Sequence, residues 1–301
     1  MTMTTLLLPA IQTSELTKRF GRIVAVRRLN LSVPLGSISG FLGQNGAGKS
    51  TTLKMLMGAV RPSHGSGQIL GLSIEDPVQS VEIRKRVAFV GEDKGLYDYM
   101  TVEQIIGFTK SFFSKWRSDL EHKFLRHFPL PFDRKIKKLS KGMRTQLALL
   151  LGIARGPEML VLDEPSEGLD PVAIEILLQL LKNLAAEGVS IFFSSHQLAD
   201  VEQIADHVFI IDRGELLVGS SVDRLKNEFR RIAVAFENAV QEKELIVEGV
   251  KDIQAEGKML SLFVSHNLDH VLERIRALQP TKVEVMPVSL KEIFLQSLKA
   301  R

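Results

Sequence analysis

The chain contains no cysteine. That excludes disulfides, cysteine-bound zinc and iron–sulfur clusters, and it fits a reducing compartment. Long apolar runs are missing too. Leu147–Ala154, the longest near the middle of the chain, falls far short of the ~20 residues needed to span a bilayer. At the N-terminus, Leu6–Leu8 has no preceding positive charge and is broken by Pro9, unlike a secretory signal. The chain is therefore expected neither to cross a membrane nor to be exported by the usual route. It has no internal repeat and no low-complexity tract. What remains is an ordinary globular balance: 301 residues, 25% charged and 45% hydrophobic. That is enough for a large domain plus a smaller one.

The formal net charge is +4. Much of the local excess lies in Arg134-Lys135-Ile136-Lys137-Lys138, continuing to Lys141 and Arg144. A basic cluster can mark nucleic-acid binding. Here no aromatic residues interleave it, as a single-strand stacking platform requires. A solvated face is the expectation, and nucleic acid is not an expected partner.

Short apolar runs bounded by polar residues occur at Val87–Val90, Met159–Leu162, Ser190–Ser194 and Val208–Ile211. They read as strands of a sheet buried on both faces. Helical patterns such as Val172–Leu184 lie between them, so the fold class is α/β with a mainly parallel sheet. Ile23–Val33 and Gly67–Leu72 suggest an antiparallel flap. Thr101 and Gln104 form a capping box. The aromatic and leucine residues from Phe108 to Phe128 follow at near-helical spacing and predict a buried helix face, ended by Pro129 and Pro131. Past Ser220 the pattern is that of a small α+β appendage. Ile232–Phe236 and Leu260–Val264 read as strands, with Glu256-Gly257-Lys258 as the turn before the second. Asn267 caps one expected helix, and Ser289 with Glu292 forms a capping box for another.

The most specific run is Gly43-Gln44-Asn45-Gly46-Ala47-Gly48-Lys49-Ser50. It fits the phosphate-loop pattern G-x-x-x-x-G-K-[ST] without a mismatch. Ser37–Leu42 before it reads as a strand, and Thr51–Met57 after it as a helix. The glycines let backbone N–H groups converge on a polyphosphate, and the helix N-terminus adds positive potential. Lys49 supplies a full charge for the outer phosphates, and Ser50 a hydroxyl for Mg²⁺. The second run is Met159-Leu160-Val161-Leu162-Asp163-Glu164-Pro165. It delivers two carboxylates to a strand's C-terminal end, where an open α/β sheet places its ligand. Asp163 can hold Mg²⁺ through water, and Glu164 can orient and polarise the attacking water.

With Leu139-Ser140-Lys141-Gly142-Met143 ahead of a helical run, the chain resembles an ATP-binding-cassette (ABC) ATPase, the nucleotide-binding subunit of an ABC transporter. The resemblance covers roughly residues 14–220. It implies a P-loop ATPase core with an antiparallel β flap in residues 1–220. A helical subdomain is inserted at about 95–155, and 221–301 form a small C-terminal accessory α+β domain. The tail resembles the extra domain of exporter-type members. The resemblance assigns Gly43 to Ser50 with Thr51 to the phosphates, Asp163 to the magnesium side and Glu164 to the catalytic base. Ser140 and Gly142 would contact the γ-phosphate held by the opposite subunit. Glu167-Gly168-Leu169-Asp170 would line the dimer seam, His196 would reach the γ-phosphate, and Phe20 would stack on adenine. Four positions depart from the family pattern. Glu92 stands for a glutamine, which still lets it accept hydrogen bonds from Mg²⁺-bound water. Lys141 stands for a glycine, Met143 for a glutamine, and Glu167 for a small residue.

One phosphate loop and one signature in a chain imply a head-to-tail pair of subunits with two ATP molecules between them. The expectation is an active MgATP-hydrolysing subunit, peripheral on the cytoplasmic face of the membrane. It would power a separate permease, with export as the direction. The segment from Glu92 through Tyr99 is expected to transmit the change to that permease, with Leu96, Tyr97 and Tyr99 as its test positions. Two rival readings are a soluble ABC ATPase of DNA repair, chromosome handling or translation, and a P-loop kinase. The first lacks paired cassettes, a heptad insertion and cysteine zinc sites. The second has no use for the signature run.

Overall fold

The structure, a computed structural model, describes residues 9–237 and 242–299. Leu6–Leu8 lie outside the described residues. The chain divides into two compact units, Met1–Gly219 and Ser220–Arg301.

The first unit runs β1 (Ile11–Phe20), β2 (Ile23–Leu29), β3 (Ser32–Val33), β4 (Ile38–Leu42), α1 (Lys49–Leu56), β5 (His64–Ile69) and β6 (Leu72–Ser73). It continues through α2 (Pro77–Arg86), β7 (Val87–Val90), α3 (Val102–Lys110), α4 (Ser118–His127), α5 (Lys141–Ala154), β8 (Met159–Asp163) and α6 (Pro171–Ala186). It ends with β9 (Ser190–Ser195), α7 (Leu198–Ile204), β10 (His207–Asp212) and β11 (Glu215–Ser221). Two sheets result. The six-stranded sheet has the order β11-β10-β4-β9-β8-β7, and its pairs β10/β4, β4/β9, β9/β8 and β8/β7 are parallel. Every residue of β4, β8 and β9 is buried. That burial is why these strands read as unbroken apolar runs rather than alternating ones. The second sheet is the antiparallel flap, in the order β2-β1-β5-β6 with β3 on β1. Phe41, Phe192 and Phe209 form a ring stack in the core between them, with centroids 5.3 and 6.3 Å apart.

Parallel register decides what the sheet presents at its C-terminal edge. Leu42, the last strand residue before the phosphate loop, sits opposite Ser195, and Asp163 sits opposite Ser194. Three strand ends are thereby set side by side, and the loops leaving them share one edge.

The aromatic segment differs from its expectation. The chain forms two helices, α3 and α4, separated at 111–117, instead of one continuous buried face. Phe124 and Phe128 are buried. Phe108 and Phe112 lie exposed at the end of α3. The turn is pinned by the Arg117 N–H, which donates to the Ala154 carbonyl, and by the Trp116 indole N–H, which donates to Glu121 at 2.6 Å. The capping box is present: the Thr101 hydroxyl accepts from the Gln104 N–H, and the Gln104 side chain accepts from the Thr101 N–H. The basic run Arg134–Lys138 is exposed around a buried Ile136.

The second unit comprises α8 (Val222–Glu228), β12 (Arg230–Ala235), β13 (Val250–Glu256), β14 (Met259–Val264), α9 (Leu268–Ala277), β15 (Lys282–Pro287) and α10 (Leu290–Lys299). Its sheet is antiparallel, in the order β13-β14-β12-β15. Ile232, Val234, Leu262, Val264, Val271 and Ile275 form its core. Asn267 does occupy the cap position of α9, but it lies in the left-handed region at φ 57° and makes no side-chain cap bond. A capping side chain usually needs extended backbone to reach the first-turn N–H groups.

Candidate active site

A cleft of about 350 Å³ lies on the C-terminal edge of the six-stranded sheet. Gln44, Asn45, Gly46, Gly48, Lys49, Ser50 and Thr51 line it, together with Ala25, Glu92, Glu164, Glu167 and His196. The phosphate loop therefore shares one cavity with the carboxylate from β8 and the histidine that follows β9. These residues are far apart in the chain and meet through strand register.

The loop's shape follows from two glycines. Gly48 has φ +106°, and a Cβ there would lie 2.6 Å from the Ala25 carbonyl. At Gly43 a Cβ would lie 2.6 Å from the Ile211 carbonyl. Any side chain at either position forces the loop away from the flap or the sheet. Helix α1 starts at Lys49, directly after the loop, so its free N–H groups face the cleft.

Lys49 is 6% exposed. Its ammonium donates to the Gly43 carbonyl at 2.7 Å and lies 3.3 Å from Glu164 Oε1. It is held at the loop by its own backbone, a strong cation in a nearly water-free position.

At the end of β8 the two carboxylates have different surroundings. Asp163 is fully buried. Its Oδ1 accepts from the Ser194 hydroxyl at 2.6 Å, while its Oδ2 is buried without a hydrogen-bond partner. Glu164 lies just beyond, with its backbone at φ 48°, a conformation a non-glycine residue adopts only under constraint. The constraint is visible: the Glu164 N–H donates to the Ser194 Oγ at 2.9 Å. The Glu164 Oε2 is 2.7 Å from His196 Nδ1 and also accepts from the His196 N–H. One serine hydroxyl thus ties the Asp163 carboxylate to the Glu164 backbone, and a lysine and a histidine hold the two oxygens of Glu164. In the sequence Ser194 stands only as the last residue of the run Ser190–Ser194. Its bridging role depends on the β8/β9 register, which no local pattern encodes.

Other residues singled out in the sequence lie elsewhere. Ser140, Gly142 and Asp170 line a second cleft with Met143, Gln146 and Leu169, apart from the phosphate loop of the same chain. Ser140 is the N-cap of α5, and its hydroxyl accepts from the Met143 N–H at 3.2 Å. Asp170 caps α6 through the Ala173 N–H. Ser140 is exposed and Gly142 is partly so, leaving the start of α5 open to an external group. Phe20 is 51% exposed at the β1 end with the Lys18 ammonium over its ring, and it is not among the residues lining the first cleft. Among the described residues there is no cluster of three His, Asp or Glu side chains set to hold a metal by themselves. No helix among them is long and apolar enough to cross a membrane.

Comparison with known proteins agrees with this arrangement. Residues 26–167 match the family model described as ABC transporter. The bacitracin transport ATP-binding protein BcrA of Bacillus licheniformis is 32% identical over 86% of this chain and 90% of its own length. The ABC transporter ATP-binding protein YtrB of Bacillus subtilis is 25% identical over 95% of this chain and 97% of its own. Both spans run past the first unit. Among solved structures, one described as an ATP-binding subunit of an ABC transporter matches with TM-score 0.66 at 26% identity, covering 72% of this chain and 92% of that one. The cassette MJ0796, solved as a dimer bound to ADP and Pi, shares the fold at TM-score 0.64 and 21% identity, covering 70% of this chain and 98% of that one. The protein belongs to the ABC transporter family and is one of its ATP-binding cassette ATPases.

Proposed function

We propose that two copies of this chain, head to tail, hold MgATP between the phosphate loop of one and the Ser140–Gly142 segment of the other, and that hydrolysis drives a separate permease. One observation carries the reading. The Ser140–Gly142 segment opens into its own cleft, away from the phosphate loop of its own chain. A hydroxyl and a helix N-terminus that suit an anion but face no phosphate site in cis fit a site completed in trans.

The roles follow from the geometry. The N–H groups of the loop and of α1 bind the phosphates, and Lys49 places a full positive charge beside them. Glu164, aligned by Ser194 and His196, accepts a proton from the attacking water and orients it. His196, half exposed at the rim, can turn its other ring nitrogen to the terminal phosphate. The donor set fits a magnesium ion. Ser50 offers a hydroxyl, Glu92 a carboxylate at the cleft wall, and the bare Asp163 Oδ2 an acceptor for a metal-bound water. When bound, the ion neutralises charge on the phosphate oxygens. That few protein groups surround it suits magnesium, which keeps most of its waters and takes oxygens from the nucleotide.

A permease partner is supported by an exposed aromatic ladder. Tyr99, Tyr97, Phe108 and Phe112 follow one another at centroid distances of 5.9, 5.9 and 5.0 Å. All four are exposed, Tyr99 at 68%. Such a patch suits the cytoplasmic face of a membrane protein, which supports a peripheral subunit there. Export is favoured because the likeness to the bacitracin transport protein extends beyond the first unit.

The test is the concentration dependence of ATP hydrolysis. Activity per molecule should rise with protein concentration until pairing saturates. Activity strictly proportional to protein from the lowest concentration upward contradicts a site shared by two copies.

A further inference from the structure

Lys141 and Glu167, two of the positions at which the sequence departs from the family pattern, are partners. The Lys141 ammonium lies 2.6 Å from Glu167 Oε1. The contact is part of a close junction between the first turn of α5 and the loop after Glu164. A Cβ at Gly142 would stand 2.5 Å from the Gly168 carbonyl, and one at Gly168, with φ +79°, would stand 3.0 Å from Lys141 Cγ. The buried Thr145 hydroxyl donates to the Glu167 carbonyl at 3.1 Å. Lys141 therefore lies along the Gly168 backbone and ends on the Glu167 carboxylate.

Only one of the two residues lines a cleft. Glu167 lines the phosphate-loop cleft of its own chain, and Lys141 does not. In that cleft Glu167 joins Glu92 and Glu164 around a ligand that is itself a polyanion. Each uncompensated carboxylate there opposes phosphate binding. Lys49 and His196 already accompany Glu164. The partner of Glu167 is Lys141. Lys94, whose ammonium is buried without a hydrogen-bond partner, adds to the positive field on Glu167, whose carboxyl is held below the usual range first by the Lys141 hydrogen bond.

We propose that Lys141 is a positioning residue for the nucleotide cleft of its own chain: it holds the Glu167 carboxylate and cancels its charge, so that a segment expected to serve the partner's nucleotide also conditions binding in cis. The proposal rests on the reading that this cleft takes a nucleoside polyphosphate. It differs from a direct role for Lys141 on the γ-phosphate of a nucleotide held by the other copy.

Binding of MgADP to the full chain, measured by titration calorimetry, separates these roles. ADP has no γ-phosphate, so a contact made to that group in trans cannot register. Lys141→Met should weaken MgADP binding roughly two- to fivefold, the range an exposed ion pair commands. Lys141→Arg should match the wild type. Glu167→Gln should tighten binding, and the Lys141→Met/Glu167→Gln double variant should return to the wild-type value or better. The Lys141→Met deficit should shrink as salt rises. Unchanged ADP affinity in Lys141→Met, or a double variant as weak as Lys141→Met alone, overturns the proposal. Thermal melts of the four variants identify any that lose the fold. If Lys141→Met is among them, the tightening by Glu167→Gln decides the matter. A wild-type chain that binds neither MgADP nor MgATP would instead sink the nucleotide reading itself.

Discussion

The two units of this chain differ in what they leave unfinished. Among the described residues of the first, three buried side-chain atoms lack a hydrogen-bond partner: Lys94 Nζ, Arg155 Nε and Asp163 Oδ2. Two of them lie at or beside the phosphate-loop cleft, where Glu164 also holds a left-handed backbone. Among the described residues of the second unit there is no such atom. Several of its polar side chains pair within the unit. Glu292 accepts from the Ser289 N–H and meets Arg231 at 2.9 Å, and Asp252 meets Gln296. Buried polar groups normally find partners, so an orphan is informative. The first unit carries two of its orphans where a ligand is expected to supply the missing bonds. The described part of the second shows no such opening.

Substitutions can break or sharpen that contrast. The largest effect belongs to Glu164→Gln, which removes the proposed general base while keeping its shape. ATP turnover should fall on the order of 10²- to 10⁴-fold with nucleotide affinity retained. A loss of affinity in step with turnover would assign Glu164 to binding instead. In the second unit, Leu262→Ala empties a fully buried site and should destabilise its sheet by about 2–5 kcal/mol. Faster hydrogen exchange confined to β12 and β14 in the intact chain would show it. Protection lost equally in β4 and β8 would mean the two units do not unfold separately. Gly142→Ala places a methyl against the Gly168 carbonyl and should cost about 1–3 kcal/mol in packing at that junction. ATPase activity should drop, and MgADP binding should weaken modestly with the disturbed Lys141–Glu167 contact. Ser289→Ala removes one half of a capping box and should cost about 1 kcal/mol, read as a small shift in the melting of the second unit alone.

Acidification gives a subtler comparison. Glu167 and Glu292 both have carboxyls held below the ordinary value of 4.5. A depressed folded-state pKa adds stability above the unfolded-state value, and that stability is lost as pH falls through the folded one. The stability these two carboxylates contribute should therefore be lost only as pH falls below about 4.5, with Lys141→Met removing part of that loss in the first unit.

The features legible in the sequence share one property: their partners are close along the chain. The phosphate loop is eight consecutive residues, and the capping boxes at Thr101 and Ser289 span one helical turn. The buried strands announce themselves because parallel strands covered on both faces are continuously apolar. What stayed hidden depends on distant partners. β1 has only Ile11, Leu16 and Phe20 as apolar residues, and β15 is mostly exposed, so neither shows a core signal. The break between α3 and α4 follows from Arg117 meeting Ala154, which no spacing of phenylalanines reveals. Ser194 meets Asp163 only through strand register. Lys141 and Glu167 each stood out as a departure, yet 26 residues separate them, and only the folded chain shows that one answers the other.

The central claim is that ATP closes two copies of this chain onto each other. Sedimentation of the Glu164→Gln variant with Mg²⁺ and saturating ATP tests it most directly. The account predicts a species of twice 33.6 kDa that reverts to the single chain when ADP replaces ATP. A variant that binds ATP yet stays at 33.6 kDa at every protein concentration would contradict it.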